Sequence, residues 1–122
     1  MIELYNSCSL GARRPTGERD RMAAMLANAN LIITAWDGDL LVGLSRSMTD
    51  FVYATYLSDL AVRETHQKLG IGRELIRRTQ LAGGPKTRVI LLSAPAAVEY
   101  YPRIGFTQHP SAWSIMGDEP LL

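Results

Sequence analysis

Residues 60–76, LAVRETHQKLGIGRELI, constrain this chain more than any other stretch: an apolar strand end, a polar turn and an amphipathic helix whose first turn carries Gln67, Gly70 and Gly72 as Q-x-x-G-x-G. The first N–H groups of a helix lack internal partners and lie at the positive end of its dipole, so they can bind phosphate oxygens. Glycine is wanted there because a Cβ would hold a diphosphate away from the backbone. Lys68 and Arg73 flank the glycines and can add charge neutralisation. A P-loop would require Gly-Lys-Ser/Thr, which does not occur. A dinucleotide-binding fingerprint would require a third glycine where Leu75 stands. Two glycines alone are explained as well by a plain helix start after a tight turn, so the surrounding pattern must decide.

Along the rest of the chain the elements are short and unrepeated. Thr16 is the expected N-cap of a helix in which Met22, Met25, Leu26 and Ala29 recur at helical spacing, although Arg19 stands where a capping box wants Glu. LIITAW (31–36) reads as a strand, Asp37-Gly38-Asp39 as a turn, and LLVGLSR (40–46) as the second arm of a hairpin. FVYATYLSDLAV (51–62), rich in β-branched and aromatic residues, reads as a third strand. In the helix that follows, Ile71, Leu75 and Ile76 share a face and Glu74 precedes Arg78 by one turn, until Gly83-Gly84-Pro85 ends it. VILLSA (89–94), apolar throughout, predicts a central strand covered on both faces. A short helix over 96–101 is limited by Pro102, and a last strand is expected from Phe106 through Trp113 to Ile115. The order is that of a mixed α/β domain around one sheet, residues 1–122 forming a single domain.

Composition narrows the partners. A formal charge of +1 and an apolar fraction of 47% fit an ordinary globular protein and offer no basic surface for nucleic acid. No apolar run approaches the ~20 residues of a membrane span, and the start lacks a secretory pattern, so a cytoplasmic location is expected. Cys8 is the only cysteine and there are two histidines, so neither a disulfide framework nor a Cys/His metal cluster is expected.

Taken in order, Leu60-Ala61-Val62, Gln67 to Gly72 and Leu75 resemble the signature of the GNAT superfamily of N-acetyltransferases. AAVEYYPRIGF (96–106) is similar to the same family's second signature, paired aromatics followed by glycine and phenylalanine. The two lie about thirty residues apart and bracket VILLSA, so the match spans roughly two thirds of the chain. The resemblance implies a mixed, mostly antiparallel sheet with splayed parallel central strands and flanking helices. It implies acetyl-CoA as cosubstrate, with no metal. The pantetheine arm would lie against Leu60, Ala61 and Val62. The diphosphate would lie on Gln67, Lys68, Leu69, Gly70, Ile71, Gly72 and Arg73. Ser93 stands where the family often has asparagine against the cofactor arm.

The activity implied is direct transfer of an acetyl group to a primary amine of a small molecule or peptide, with a non-catalytic CoA-binding module as the alternative. Tyr101 matches the family's proton donor relative to Gly105; a phenol of pKa ~10 can protonate a departing thiolate of pKa ~8.5. Tyr100 is expected to be a core aromatic. Asp59 could deprotonate the amine, and a structural or solvated carboxylate reads the residue equally well. His66 is expected on the surface of the turn and His109 in a loop, with Trp36 and Trp113 as core or interface aromatics. Arg13 and Arg14 read as a solvated basic turn, or as an attraction for an acidic group on the acceptor. The segment before the hairpin is short for this family, which implies an open or dimer-completed acceptor site and a possible homodimer.

Overall fold

The computed structural model describes residues 1–122, in two compact units, Met1–Leu92 and Ser93–Leu122. The first unit opens with α1 (Ile2–Asn6), a 3-10 turn over Ser9–Arg13 and α2 (Arg19–Asn28), followed by β1 (Leu31–Asp37), β2 (Leu40–Thr49) and β3 (Ala54–Val62). A 3-10 turn at Glu64–His66 leads to α3 (Ile71–Gly83), and β4 (Arg88–Ile90) ends the unit. The strands form one sheet in the order β1-β2-β3-β4. The first two pairings are antiparallel and the last is parallel. The mixed sheet with flanking helices follows the expectation from the sequence.

The hairpin turns where Asp37-Gly38 directs it, with Asp37 opposite Leu40 and Gly38 at φ 59. The third strand starts three residues later than its composition suggests. Asp50 Oδ1 accepts hydrogen bonds from the N–H groups of Val52, Tyr53 and Ala54, which closes a tight loop with Phe51 at φ 60 and takes residues 51–53 out of the ladder. Those N–H donors, Tyr53 first, hold the Asp50 carboxyl below its ordinary range.

α3 covers one face of the sheet through Leu75, Ile76 and Thr79. It can approach closely because β2 carries Gly43; a Cβ there would lie 3.0 Å from Ile71 Cγ2 and 3.1 Å from Leu75 Cδ1. On the other face Leu4, Tyr5, Leu10 and Met22 pack with Leu44 of β2 and Ala61 of β3. Burying each such Leu or Met contributes about 1.5–3 kcal/mol relative to exposure.

Four expectations from the sequence are corrected. α2 begins at Arg19 after Glu18, without a side-chain cap, rather than after Thr16, and Ala29 lies just beyond its end. VILLSA supplies only Val89 and Ile90 to β4, which stands at an edge of the sheet with Ile90 and Leu92 exposed, not at a doubly covered centre. No strand forms between Phe106 and Ile115; Pro110 removes a ladder donor in the middle of that run, and strand propensity is realised only against a partner edge. The second unit instead holds a 3-10 turn at Pro95–Ala97 and α4 (Tyr100–Arg103), where Pro102 sits in the first turn and its missing N–H costs little.

Candidate functional site

The parallel ladder between β3 and β4 has three residue pairs, Ala54 with Arg88, Thr55 with Val89 and Tyr56 with Ile90. β3 then continues to Val62 without β4 beside it. The register with β2 skips Ser58, since Asp59 faces Arg46 while Leu57 faces Ser47. An extra residue of this kind adds local twist and bends the strand, and the ladder to β4 ends just before it, at Tyr56. The result is a strand edge along Leu57–Val62 that leads directly into the polar turn.

That turn is tied down at several points. The Arg63 guanidinium donates twice to Glu3, at 2.6 Å each, and also to the carbonyl of Leu41. The same pairing holds the Glu3 carboxyl below its ordinary range. His66, half-buried, stands 2.9 Å from Asp37 Oδ2 at the hairpin turn. Gln67 folds back so that its amide donates to the Val62 carbonyl. Lys68 and Gly70 both adopt left-handed backbone, φ 65 and φ 86, and Gly70 caps α3 with open space where a Cβ would stand. Residues 67–70 are all exposed, and Ile71 and Gly72 at the start of α3 are partly so. Glu74, pulled down to about 2 by hydrogen bonds from Arg77 and Arg78, neutralises those two arginines and leaves Lys68 and Arg73 without a carboxylate partner. Open backbone donors, a helix N-terminus and two uncommitted cations fit a diphosphate.

Asp59, a candidate base from the sequence, lies instead in the core with 0% exposure. Its carboxylate accepts hydrogen bonds from Tyr5 Oη at 2.7 Å, Arg14 Nε at 2.7 Å, Arg46 Nε at 2.6 Å and Ser58 Oγ at 3.1 Å. Burial is the largest influence and would raise its pKa, but the hydrogen bonds from Arg46, Arg14 and Tyr5 together outweigh it and hold the carboxyl below its ordinary range. The same burial, with the Asp59 charge, pushes the Tyr5 phenol up. A carboxylate with this many donors is a weak proton acceptor and a strong anchor between β3, β2 and the N-terminal elements. Nothing in the first ten residues marked Tyr5 as its partner. Arg14, read as a basic surface turn, is committed to Asp59 and to the Ser58 carbonyl, whereas Arg13 is exposed.

In the second unit Tyr101 is half-buried, with edge-on ring contacts to Tyr100 at 5.3 Å and Phe106 at 5.4 Å. Its carbonyl accepts from the N–H groups of Ile104 and Phe106, and Gly105 takes φ 102 to close that turn. Tyr100, expected in a core, is exposed. Ser93 follows β4 in irregular backbone. His109, Trp36 and Trp113 are all exposed. No three His, Cys, Asp or Glu side chains come together as a metal site.

Comparison with known proteins bears on the family and the fold. A family model described as an acetyltransferase (GNAT) domain matches residues 14–114. An uncharacterized ycf52-like N-acetyltransferase of Prochlorococcus marinus is 29% identical over 105 residues, which cover 81% of this chain and 57% of that protein. The chain therefore spans little more than half the length of that relative. Among solved structures, a candidate acetyltransferase of Deinococcus radiodurans R1 superposes with a TM-score of 0.75 at 22% identity, over 94% of this chain and 80% of the other. A GNAT-family acetyltransferase of Streptococcus pneumoniae gives 0.74 at 23%, over 97% and 89%. At these identities the structural likeness concerns the fold.

Proposed function

The chain belongs to the GNAT family of acetyltransferases, and from that premise we propose that it moves the acetyl group of acetyl-CoA directly to a primary amine of a small molecule or peptide. One observation carries the reading: β3 and β4 part after three pairs, and the edge this frees on β3 ends at a turn of exposed, left-handed and glycine-bearing backbone at the start of α3. An extended amide-bearing arm adds to such an edge as a further strand would. In this reading the backbone of Leu60, Ala61 and Val62 holds the arm, and the N–H groups of Ile71, Gly72 and Arg73, with the turn Gln67, Lys68, Leu69 and Gly70, hold the diphosphate. Gln67 would release the Val62 carbonyl on binding. Ser93 remains the proposed side-chain contact of the arm.

Acetyl-CoA supplies an acyl group activated as a thioester. The chain must then present a neutral amine and provide a proton for the departing sulfur. Tyr101 is the proposed proton donor. Asp59 is proposed to anchor the N-terminal elements rather than take the amine's proton, because its lone pairs are already committed to Arg46, Arg14 and Tyr5.

Calorimetry with acetyl-CoA, paired with free-thiol release across a panel of amines, tests this reading. Wild type is expected to bind and to release thiol with at least one amine. Gly70→Asp, which puts a side chain and a negative charge into the cradle at a left-handed position, is expected to weaken binding tenfold or more. Unchanged affinity in folded Gly70→Asp refutes the cradle, and binding without thiol release by any amine makes the chain a CoA-binding module instead of an enzyme.

A further inference from the structure

On the sheet face that carries α1 and α2, the helices stop short of one rung. Met48 of β2 is opposite Tyr56 of β3, and Tyr56 is opposite Ile90 of β4. Directly paired residues point to the same side of a sheet, so the three side chains form an apolar row across three strands. They are 37%, 39% and 47% exposed. Two residues back along β2, on that same face, Arg46 is buried and Leu44 belongs to the core. The row is therefore where the covered core gives way to an open apolar ledge.

Its position matters more than its exposure. The Tyr56–Ile90 pair is the last rung before β3 and β4 diverge, so the row borders the closed end of the gap. An arm entering from the turn at Gly70 and running back along β3 reaches this end with its thioester. We propose that Met48, Tyr56 and Ile90 floor the acceptor site, and that they select an amine carried on an apolar or aromatic group over a polycationic one. The proposal rests on the acetyl-transfer reading and deepens it by naming the acceptor class.

Charge points the same way. Beside the row, one carboxylate, Asp59, is held by two guanidiniums, Arg14 and Arg46, and Arg46 Nη1 lies 3.9 Å from Met48 Sδ. The residual local charge is positive, and no uncommitted carboxylate stands in this cluster to hold an ammonium group. Such a field repels a polyamine and favours the neutral form of a single amine. That form is the one that reacts: its nitrogen lone pair makes the new C–N bond as the thioester C–S bond breaks, the nitrogen loses one proton, and the sulfur leaves with one.

The test measures thiol release with ethylamine, phenethylamine and spermine, alongside acetyl-CoA affinity. Phenethylamine is expected to exceed ethylamine at least tenfold in kcat/KM, with spermine the poorest of the three. Tyr56→Ser and Ile90→Ser should each remove most of the phenethylamine advantage over ethylamine, through KM, while acetyl-CoA affinity is retained. Met48→Glu, which offsets the excess positive charge of Arg46 beside the row, should raise relative activity toward spermine, with a thermal melt and acetyl-CoA affinity checking that the variant is folded. Spermine as the best wild-type acceptor, or a phenethylamine preference untouched in all three variants, overturns the proposal while leaving acetyl transfer standing. Wild type that neither binds acetyl-CoA nor releases thiol refutes the acetyl-transfer reading itself, and the proposal with it. If wild type self-associates in sedimentation and Tyr56→Ser abolishes the association, the row is an interface between copies, and the proposal is overturned.

Discussion

The Asp59 carboxylate accepts hydrogen bonds from Tyr5, Arg14 and Arg46, and those three donors leave it little capacity to take up a proton. A carboxylate near the proposed cofactor strand suggests a base, and its position in the chain does not reveal that Tyr5 of α1, Arg46 of β2 and Arg14 of the segment between the 3-10 turn and α2 converge on it. Asp59→Asn should cost about 3–5 kcal/mol of stability, because it strands two partly buried guanidiniums. Turnover per folded molecule should stay within a few-fold of wild type. A hundredfold loss of turnover at unchanged stability would restore the base. The folded pKa of Asp59 lies below its ordinary value of 3.8. Its contribution is therefore complete above about pH 5 and is lost as pH falls through the folded value; thermal melts should show this as an acid limb that Asp59→Asn lacks. Tyr101 and Tyr100 make a second contrast. Tyr101→Phe keeps the ring contacts yet should lower turnover, by roughly 10²-fold, the low end for a lost general acid. Tyr100→Phe should leave it within twofold. Equal rates for Tyr101→Phe and wild type would send the proton to another donor.

Among the elements, α3 and its preceding turn were the most legible, because three independent local signals coincide there: a helical apolar face at Leu75 and Ile76, glycines at the N-terminus and a Gly-Gly-Pro stop. Nothing local announced that β2 must carry a glycine at 43 for that helix to dock. Gly43→Val should cost about 1–3 kcal/mol by overpacking. It should also displace the first turn of α3, so that acetyl-CoA affinity falls together with stability. A destabilised Gly43→Val that binds acetyl-CoA as tightly as wild type would separate the cradle from the docking of the helix. The strand expected over 106–115 failed for the opposite reason. Its apolar and aromatic residues are strand formers only in the presence of an open edge, and Pro110 interrupts the ladder they would need.

For the molecule as a whole, the second unit leaves Trp113 93% exposed, with Ile115, Met116 and Leu121 also exposed. We propose that these side chains become covered in a homodimer. In a Trp36→Phe variant, with Trp113 as the sole tryptophan, emission should shift to the blue as concentration rises through the micromolar range, and sedimentation should report twice 13.5 kDa. A 13.5 kDa species throughout, with emission unchanged, excludes self-association.

Local chemistry was enough to determine the hairpin at Asp37-Gly38, the amphipathic helix from Ile71 and the glycine turn before it. In each, the deciding interactions lie within a few residues along the chain: a left-handed turn, a helical period, a capping position. Tertiary structure alone decided the length of β4, the extra residue at Ser58 in β3, the commitment of Asp59 to two arginines, and the apolar row of Met48, Tyr56 and Ile90. Each of these depends on residues far apart in sequence meeting across strands. A strand's register, and therefore which face each side chain joins, is set by its neighbours rather than by its own composition.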